Sequence, residues 1–418
     1  MRKIINICVG SFLVFLILWT TGCESQYLGG NRNSKWVKDL NYLQKALPKK
    51  HANLFFRVSE EQFNDQINEL KKSVDNLNDD EILDEIYKIV ALIGDGHTKA
   101  QREFSRSYPF QFYYYKDSIY AINTIDEYKQ ALNCELIKIN GQDIKTIANK
   151  LSPLISRENE VTIKKVLPNY LSRPEILHGA KIIEDIDSPI NFTFKDRSGK
   201  IFDLKVDALD ATIDNGKNFL ISREYDETYP LYMQKSDLKY WYQYLEKDKM
   251  VYLKYNACSE DEKVGRLEDF NNEMLSFIQN NPVDKFVIDM RNNSGGGENR
   301  LDGIIEGIKN SNLNDKKRFL VIVGRQTFSA AIIDAVKWRN ETNATFIGEP
   351  TSGKPNHYGA VKNFLLPNSN LKIQYSTTYA KTSNDERDSF IPDKTIELSI
   401  DDYVNKKDPV LDYIIGEN

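Results

Sequence analysis

Phe286-Val287-Ile288-Asp289-Met290-Arg291-Asn292-Asn293-Ser294-Gly295-Gly296-Gly297 is an apolar strand that runs straight into a glycine turn. Glycine lets a backbone approach a ligand closely with its N–H groups exposed, and paired N–H groups can stabilise a developing oxyanion. No Gly-Lys-Ser/Thr follows, so a phosphate-binding loop of the Walker type is disfavoured. Outward from this stretch the pattern alternates. Val251–Tyr255 reads as a strand, and a helix follows around Phe270, Met274 and Ile278. A second helix starts after Gly297. Leu320–Val323 is a strand, Ala330–Trp338 is helical, and Thr345–Ile347 is a strand again. Strands alternating with helices predict an α/β core with a largely parallel sheet.

Two further turns carry chemistry. In Gly324-Arg325-Gln326-Thr327-Phe328-Ser329-Ala330-Ala331 a strand ends and Ser329 stands at the head of a helix. Serine there is a good N-cap; it is also placed for nucleophilic attack, with the Ala330 N–H pointing the same way. Gly348-Glu349-Pro350-Thr351-Ser352-Gly353-Lys354 follows the next strand.

Taken together, the Asp-x-Arg-Asn-Asn-x-Gly-Gly turn, the Ser-Ala after a strand and the Gly-Glu-x-Thr-x-Gly-Lys loop resemble the tail-specific (C-terminal-processing) proteases, the S41 peptidases. Ile391-Pro392-Asp393 and Asp408-Pro409-Val410-Leu411-Asp412 look like that family's C-terminus. The resemblance covers roughly residues 85–415 and is strongest from 286 to 354. It implies a crotonase-like core and peptide-bond hydrolysis without metal or other cofactor. It also implies an acyl-enzyme on Ser329 and an oxyanion hole made by Ala330 and either Gly295 or Gly296.

The resemblance leaves two general bases open. Many members pair serine with a lysine at the position of Lys354, oriented by a glutamine four residues on; here that residue is Tyr358. Branches resembling the tricorn core protease use histidine and glutamate. Their histidine lies in a turn like Gly94-Asp95-Gly96-His97-Thr98, and their glutamate falls six residues before the proline of the late Pro-Asp pair, which here is Glu386. The reading favours His97 oriented by Glu386 over Lys354. A histidine base implies an acidic limb in the rate profile near its ordinary pKa of about 6.5.

Earlier segments read differently. Residues 35–95 have helical periodicity: Trp36, Leu40, Leu43 and Leu47 up to Pro48, then Phe63, Ile67 and Leu70 behind a Ser59–Gln62 capping box, then Ile82, Ile86 and Ile89. Residues 106–210 look strand-rich, with hairpins around Lys116-Asp117 and Arg197–Lys200 and a turn at Asn140-Gly141. Their order resembles a degenerate PDZ-like module, although Cys134-Glu135 replaces the usual Gly-Asp. The expected division is a signal peptide (1–22), a tether (23–34), a helical domain (35–105), a PDZ-like or small α+β insert (106–210) and a catalytic domain (211–418).

The N-terminus is a secretory signal by layout: Arg2 and Lys3, an apolar run from Ile7 to Trp19, then Thr20-Thr21-Gly22-Cys23. It resembles a bacterial lipoprotein box, with Thr20 where leucine is usual. That implies lipid on Cys23 and an extracytoplasmic body anchored to the cell membrane. The net charge of −5 gives no electrostatic reason to bind nucleic acid. Cys134 and Cys258 allow at most one disulfide, and no zinc-ligand spacing occurs. The expected partner is a peptide or unfolded protein. The rival classes are a peptide- or small-ligand-binding lipoprotein on the same fold, and an acyl-CoA enzyme, which secretion disfavours.

Overall fold

The computed structural model describes residues 31–211, 220, 225–384 and 386–416; Cys23 and the apolar signal lie outside them. Three helices come first: α1 (Arg32–Lys50), α2 (Glu60–Ser73) and α3 (Asp79–Ala91). Asn31, Ser59 and Asn78 accept the free N–H groups of the first turns, and the last two close reciprocal capping boxes with Gln62 and Glu81. Pro48, expected to end the first helix, sits inside it, and the last turn continues to Lys50. So near the C-terminal end its missing N–H costs a single helical bond. Gly94, at φ +75°, turns the chain after α3 into β1 (Lys99–Gln101).

The next region holds β2 (Arg106–Ser107), β3 (Phe110–Tyr115), β4 (Ser118–Thr124), β5 (Glu135–Ile139) and β6 (Gln142–Asp143). Helices α4 (Ile144–Leu151), α5 (Val161–Tyr170) and α6 (Pro174–Gly179) precede β7 (Ile190–Lys195), β8 (Ile201–Val206) and β9 (Leu209–Asp210). Strands β3-β4-β5-β7-β8 form one antiparallel sheet, β6 pairs with β5, and β2 pairs with β9. The tight turns fall on residues with left-handed φ: Lys116 at +52°, and Asn140 and Gly141 at +48° and +77°. This sheet and α1–α3 bury one common apolar core, which also takes Leu366, Leu371, Ile373 and Tyr375 from much later in the chain.

The remainder is an α/β unit. Its elements are β10 (Tyr240–Leu245), β11 (Met250–Tyr255), α7 (Leu267–Asn280), β12 (Lys285–Asp289), α8 (Asp302–Lys309), β13 (Phe319–Val323), α9 (Ala330–Glu341) and β14 (Thr345–Gly348). Then come the long hairpin β15 (His357–Leu365) and β16 (Lys372–Ala380), β17 (Lys394–Thr395), α10 (Ile400–Val404) and α11 (Pro409–Gly416). The sheet order is β10-β11-β12-β13-β14-β17, parallel from β11 to β17 with β10 antiparallel at its edge. Alternate residues point to opposite faces. Val251, Leu253, Phe286 and Ile288 pack with residues of α7, α8 and α9; Met250, Tyr252, Val287 and Leu320 pack with Val410, Leu411 and Ile414 of α11.

A buried ion network locks the end of β12. Arg291 spans Asp289 at 3.0 Å and holds Asp408 through two bonds of 3.1 and 2.8 Å. Lys254 lies 3.3 Å from Asp289, and the Tyr252 hydroxyl donates to the same carboxylate at 2.5 Å. The Asp-x-Arg of the glycine stretch is therefore tied to the Asp-Pro that begins α11. One further pairing matters for the site: β1 joins the late hairpin in the order β1-β16-β15, with Lys99 opposite Gln374.

Candidate active site

Strand β13 ends at Val323, and the chain turns through Gly324–Phe328 into α9. The turn is held from inside. Thr327 donates its hydroxyl to the Met290 carbonyl at 2.8 Å and accepts the Gly324 N–H at 3.0 Å. The Phe328 N–H donates to the Asn293 carbonyl at 3.0 Å, so this turn and the glycine turn are laced together. Ser329 stands between them with φ 54° and ψ −129°, a setting that strains a residue with a side chain by about 1–3 kcal/mol. It precedes the first residue of α9 yet makes no side-chain capping bond, and it is only half-buried. The N-cap role open to it from sequence is not the one it takes. A strained serine between strand and helix, with its hydroxyl left over, is the arrangement of a nucleophile elbow.

The glycine turn presses on this serine. Gly295 has φ +101°, and a Cβ on it would lie 2.8 Å from the Phe328 carbonyl oxygen and 2.9 Å from Ser329 Cβ. Its own N–H is taken, however, by Asn293 Oδ1 at 2.9 Å. Of the two candidate oxyanion donors, Gly295 therefore has its N–H engaged and packs closely on the elbow. Gly296, at φ +140°, lies in a parallel bridge with Cys258, whose backbone bonds go to Gly295 and Gly297. The N–H of Gly296 therefore points away from Cys258. Ala330, first in α9, carries one of the N–H groups that no helical carbonyl can reach. Both cysteines of the body are free and buried.

His97 reaches this elbow from the other half of the chain. Its ring stacks on Phe328, the neighbour of Ser329, with centroids 4.3 Å apart, and lies parallel to His357 at 5.4 Å. The loop is built around Asp95. That carboxylate accepts the His97 N–H at 2.9 Å, the Thr98 hydroxyl at 2.5 Å, the Ser376 hydroxyl at 2.6 Å and His51 Nε2 at 3.1 Å. Burial alone would push the Asp95 carboxyl up, but the bonds from His51, Ser376 and Thr98 hold it below the usual carboxylate range. His97 Nδ1 lies 3.8 Å from Asp95 Oδ1, and neither ring nitrogen has a hydrogen-bond partner. Burial, opposed by Asp95, lowers the imidazole to about 4. Burial thus favours the neutral ring at ordinary pH.

No family model and no curated protein matches this sequence. Solved structures do. Mature CPAF in complex with lactacystin superposes with a TM-score of 0.64 over 92% of this chain and 99% of that one, at 12% identity. The fold is that of CPAF. A second structure of mature CPAF gives 0.62 over 91% and 96%, also at 12% identity. The photosystem II D1 C-terminal processing protease aligns over 89% of this chain and 94% of that one, at 10% identity and a TM-score of 0.39. A putative S41 protease from Bacteroides fragilis aligns over 77% of this chain and 86% of that one, at 15% identity and a TM-score of 0.33.

The loop of Lys354 runs beside the elbow, since a Cβ on Gly353 would lie 2.9 Å from the Phe328 ring. Lys354 is not a buried amine: its Nζ lies 2.7 Å from Asp388 Oδ1 on the surface, with side chains 32% and 68% exposed. Glu386 is exposed, and its carboxylate meets Asn356 Nδ2 at 3.5 Å; it makes no bond to His97. Both line a cavity of ≈ 320 Å³ with Glu158, His357, Tyr358 and Tyr379. The acids that do face the imidazole are Asp95 and Glu158, each offering an oxygen within 4.8 Å of a His97 nitrogen. Among the described residues these three are the ones that could together approach a cation, though Asp95 is already engaged by four donors.

Glu158 had no signal in the sequence; it stands in an ordinary charged run before α5. In this structure it is buried, 5% exposed, and accepts the Lys354 N–H at 2.7 Å. Burial pushes its carboxyl up to about 8 against the bonds from the Lys354 and Gly96 N–H groups. Asn159 beside it donates to the Thr351 carbonyl at 3.1 Å and to Ser389 Oγ at 2.9 Å. The segment before α5 thus clamps the Lys354 loop and the His97 loop together.

Proposed function

We propose that this chain is a serine peptidase of the S41 type, on a crotonase-like core with a PDZ-like insert, and that it hydrolyses peptide bonds through an acyl-enzyme on Ser329. The observation that carries the reading is Ser329 itself: a strained, uncapped serine packed against a glycine turn, with a neutral imidazole on the adjoining aromatic ring. In the proposed reaction Ser329 Oγ attacks the scissile carbonyl carbon and His97 takes its proton. The carbonyl oxygen, now negative, receives the Gly296 and Ala330 N–H groups. The C–N bond breaks as His97 passes the proton to the leaving amine, and water then frees the acyl group by the reverse proton path. Asp95 is the acid placed to steady the imidazole. Its 3.8 Å separation from Nδ1 suits a site that tightens when substrate arrives.

A fluorophosphonate probe tests this. It should add its mass to the peptide carrying Ser329 and leave Ser329→Ala untouched. A protein that binds peptides equally well with or without Ser329, takes no label and cleaves nothing would be a binding lipoprotein instead. The proposal extends to export and lipid attachment at Cys23, motivated by the small residues after the apolar signal. Metabolic labelling with a palmitate analogue should mark the wild type and miss Cys23→Ser; equal labelling of both would remove the anchor.

A further inference from the structure

Lys165, on α5, holds its Nζ 4.7 Å from the centroid of the same Phe328 ring on which His97 stacks. It also donates to Ser352 Oγ at 3.3 Å. Its partners are thus neutral, although the ammonium is one ring away from the nucleophile. Lys99 stands two residues after His97 at the start of β1, opposite Gln374, whose side chain holds the His97 carbonyl at 2.8 Å. Among the described residues neither lysine ends on a carboxylate. Burial and the Lys99 charge together lower Lys165 to about 8, and burial with Lys372 lowers Lys99. The nearby acids do not answer this charge. Neither bonds to either lysine: the Asp95 carboxylate is turned to four other donors, and Glu158 accepts the Lys354 N–H.

Both ammonium groups bear on the same buried imidazole, and like charges in such a place are unfavourable unless something anionic completes them. We infer that Lys165 and Lys99 form an anion subsite that takes a carboxylate of the peptide lying across Ser329 and His97. The inference rests on the peptidase reading for what the ligand is. A carboxylate from an acidic side chain and one from a chain terminus would meet the same two ammonium groups.

Binding to Ser329→Ala protein separates this idea from the chemistry, because turnover is not needed. The probes are fluorescein-labelled octapeptide pools, with one central position fixed as Glu or Gln and the last residue either free or amidated. Anisotropy should show at least tenfold tighter binding for one carboxylate member over its neutral counterpart, and the gap should shrink in high salt. A Glu-over-Gln gap assigns the subsite to side chains; a free-over-amidated gap assigns it to termini. Lys165→Met or Lys99→Met should bring the carboxylate peptide down to the neutral one, while Lys165→Arg, which keeps the charge, should restore the gap if the methionine form folds poorly. Equal affinities across both pairs would overturn the subsite even if Ser329 takes the phosphonate label. An intact gap in a protein that never labels would leave the subsite and remove the peptidase.

Discussion

His97→Ala should lower single-turnover acylation by about 10⁴-fold or more, the scale of losing the base in a serine triad. The same change at Lys354, which is paired with Asp388 at the surface, should cost less than about tenfold. The acid side of the rate profile should agree. A base works only while unprotonated, and burial keeps His97 neutral down to about 4. The low-pH limb of kcat/KM in the free enzyme should therefore lie near 4, well below the 6.5 expected of a histidine in water. Acylation that survives His97→Ala but vanishes in Lys354→Ala would return the base to the lysine.

Gly295→Ala should reduce kcat by about 10²–10³-fold, the cost of misplacing an oxyanion donor, with KM changed only a few-fold. The added methyl would strike the Phe328 carbonyl and Ser329 Cβ, and φ +101° already disfavours it. Relief of the clash must move the elbow or the Gly296 N–H, and both belong to the transition state more than to the bound peptide. Some loss of stability, on the order of 1–3 kcal/mol, should accompany it. Gly141→Ala is the matching control. It carries a left-handed φ of +77° with open space around it, in a turn remote from Ser329, so it shares the backbone penalty without the collision. If Gly295→Ala turns over at the wild-type rate, the turn is merely structural.

Much of this was legible before any coordinates. The parallel strands at 285–289, 319–323 and 345–348 are short apolar runs bounded by glycine and polar turns, and such runs are buried wherever they fall in a sheet. The three N-terminal helices announced themselves by period and by caps whose bonds are local. The turn at Ser329 showed in a local pattern, an apolar strand followed closely by a helical run. The partners of His97 were not. Asp95 gave no sign that it would be spent on His51 and Ser376, because those bonds join segments with no shared local pattern. Glu158 and Lys165 lie in a stretch that reads as solvated, and it is tertiary burial that changes their protonation. Glu386 fails for the opposite reason: an offset in sequence does not fix where an exposed loop points.

The loop that carries His97 is held at its far side by Gln374 and Ser376, residues that the ribosome adds long after Ser329 itself. A chain still under synthesis therefore holds Ser329 and His97 before the strand that fixes the His97 loop exists. On the proposed mechanism, a polypeptide released before β16 would lack a positioned base. On that reading the late hairpin times the chemistry, because the imidazole is set in place only when nearly the whole chain has been made.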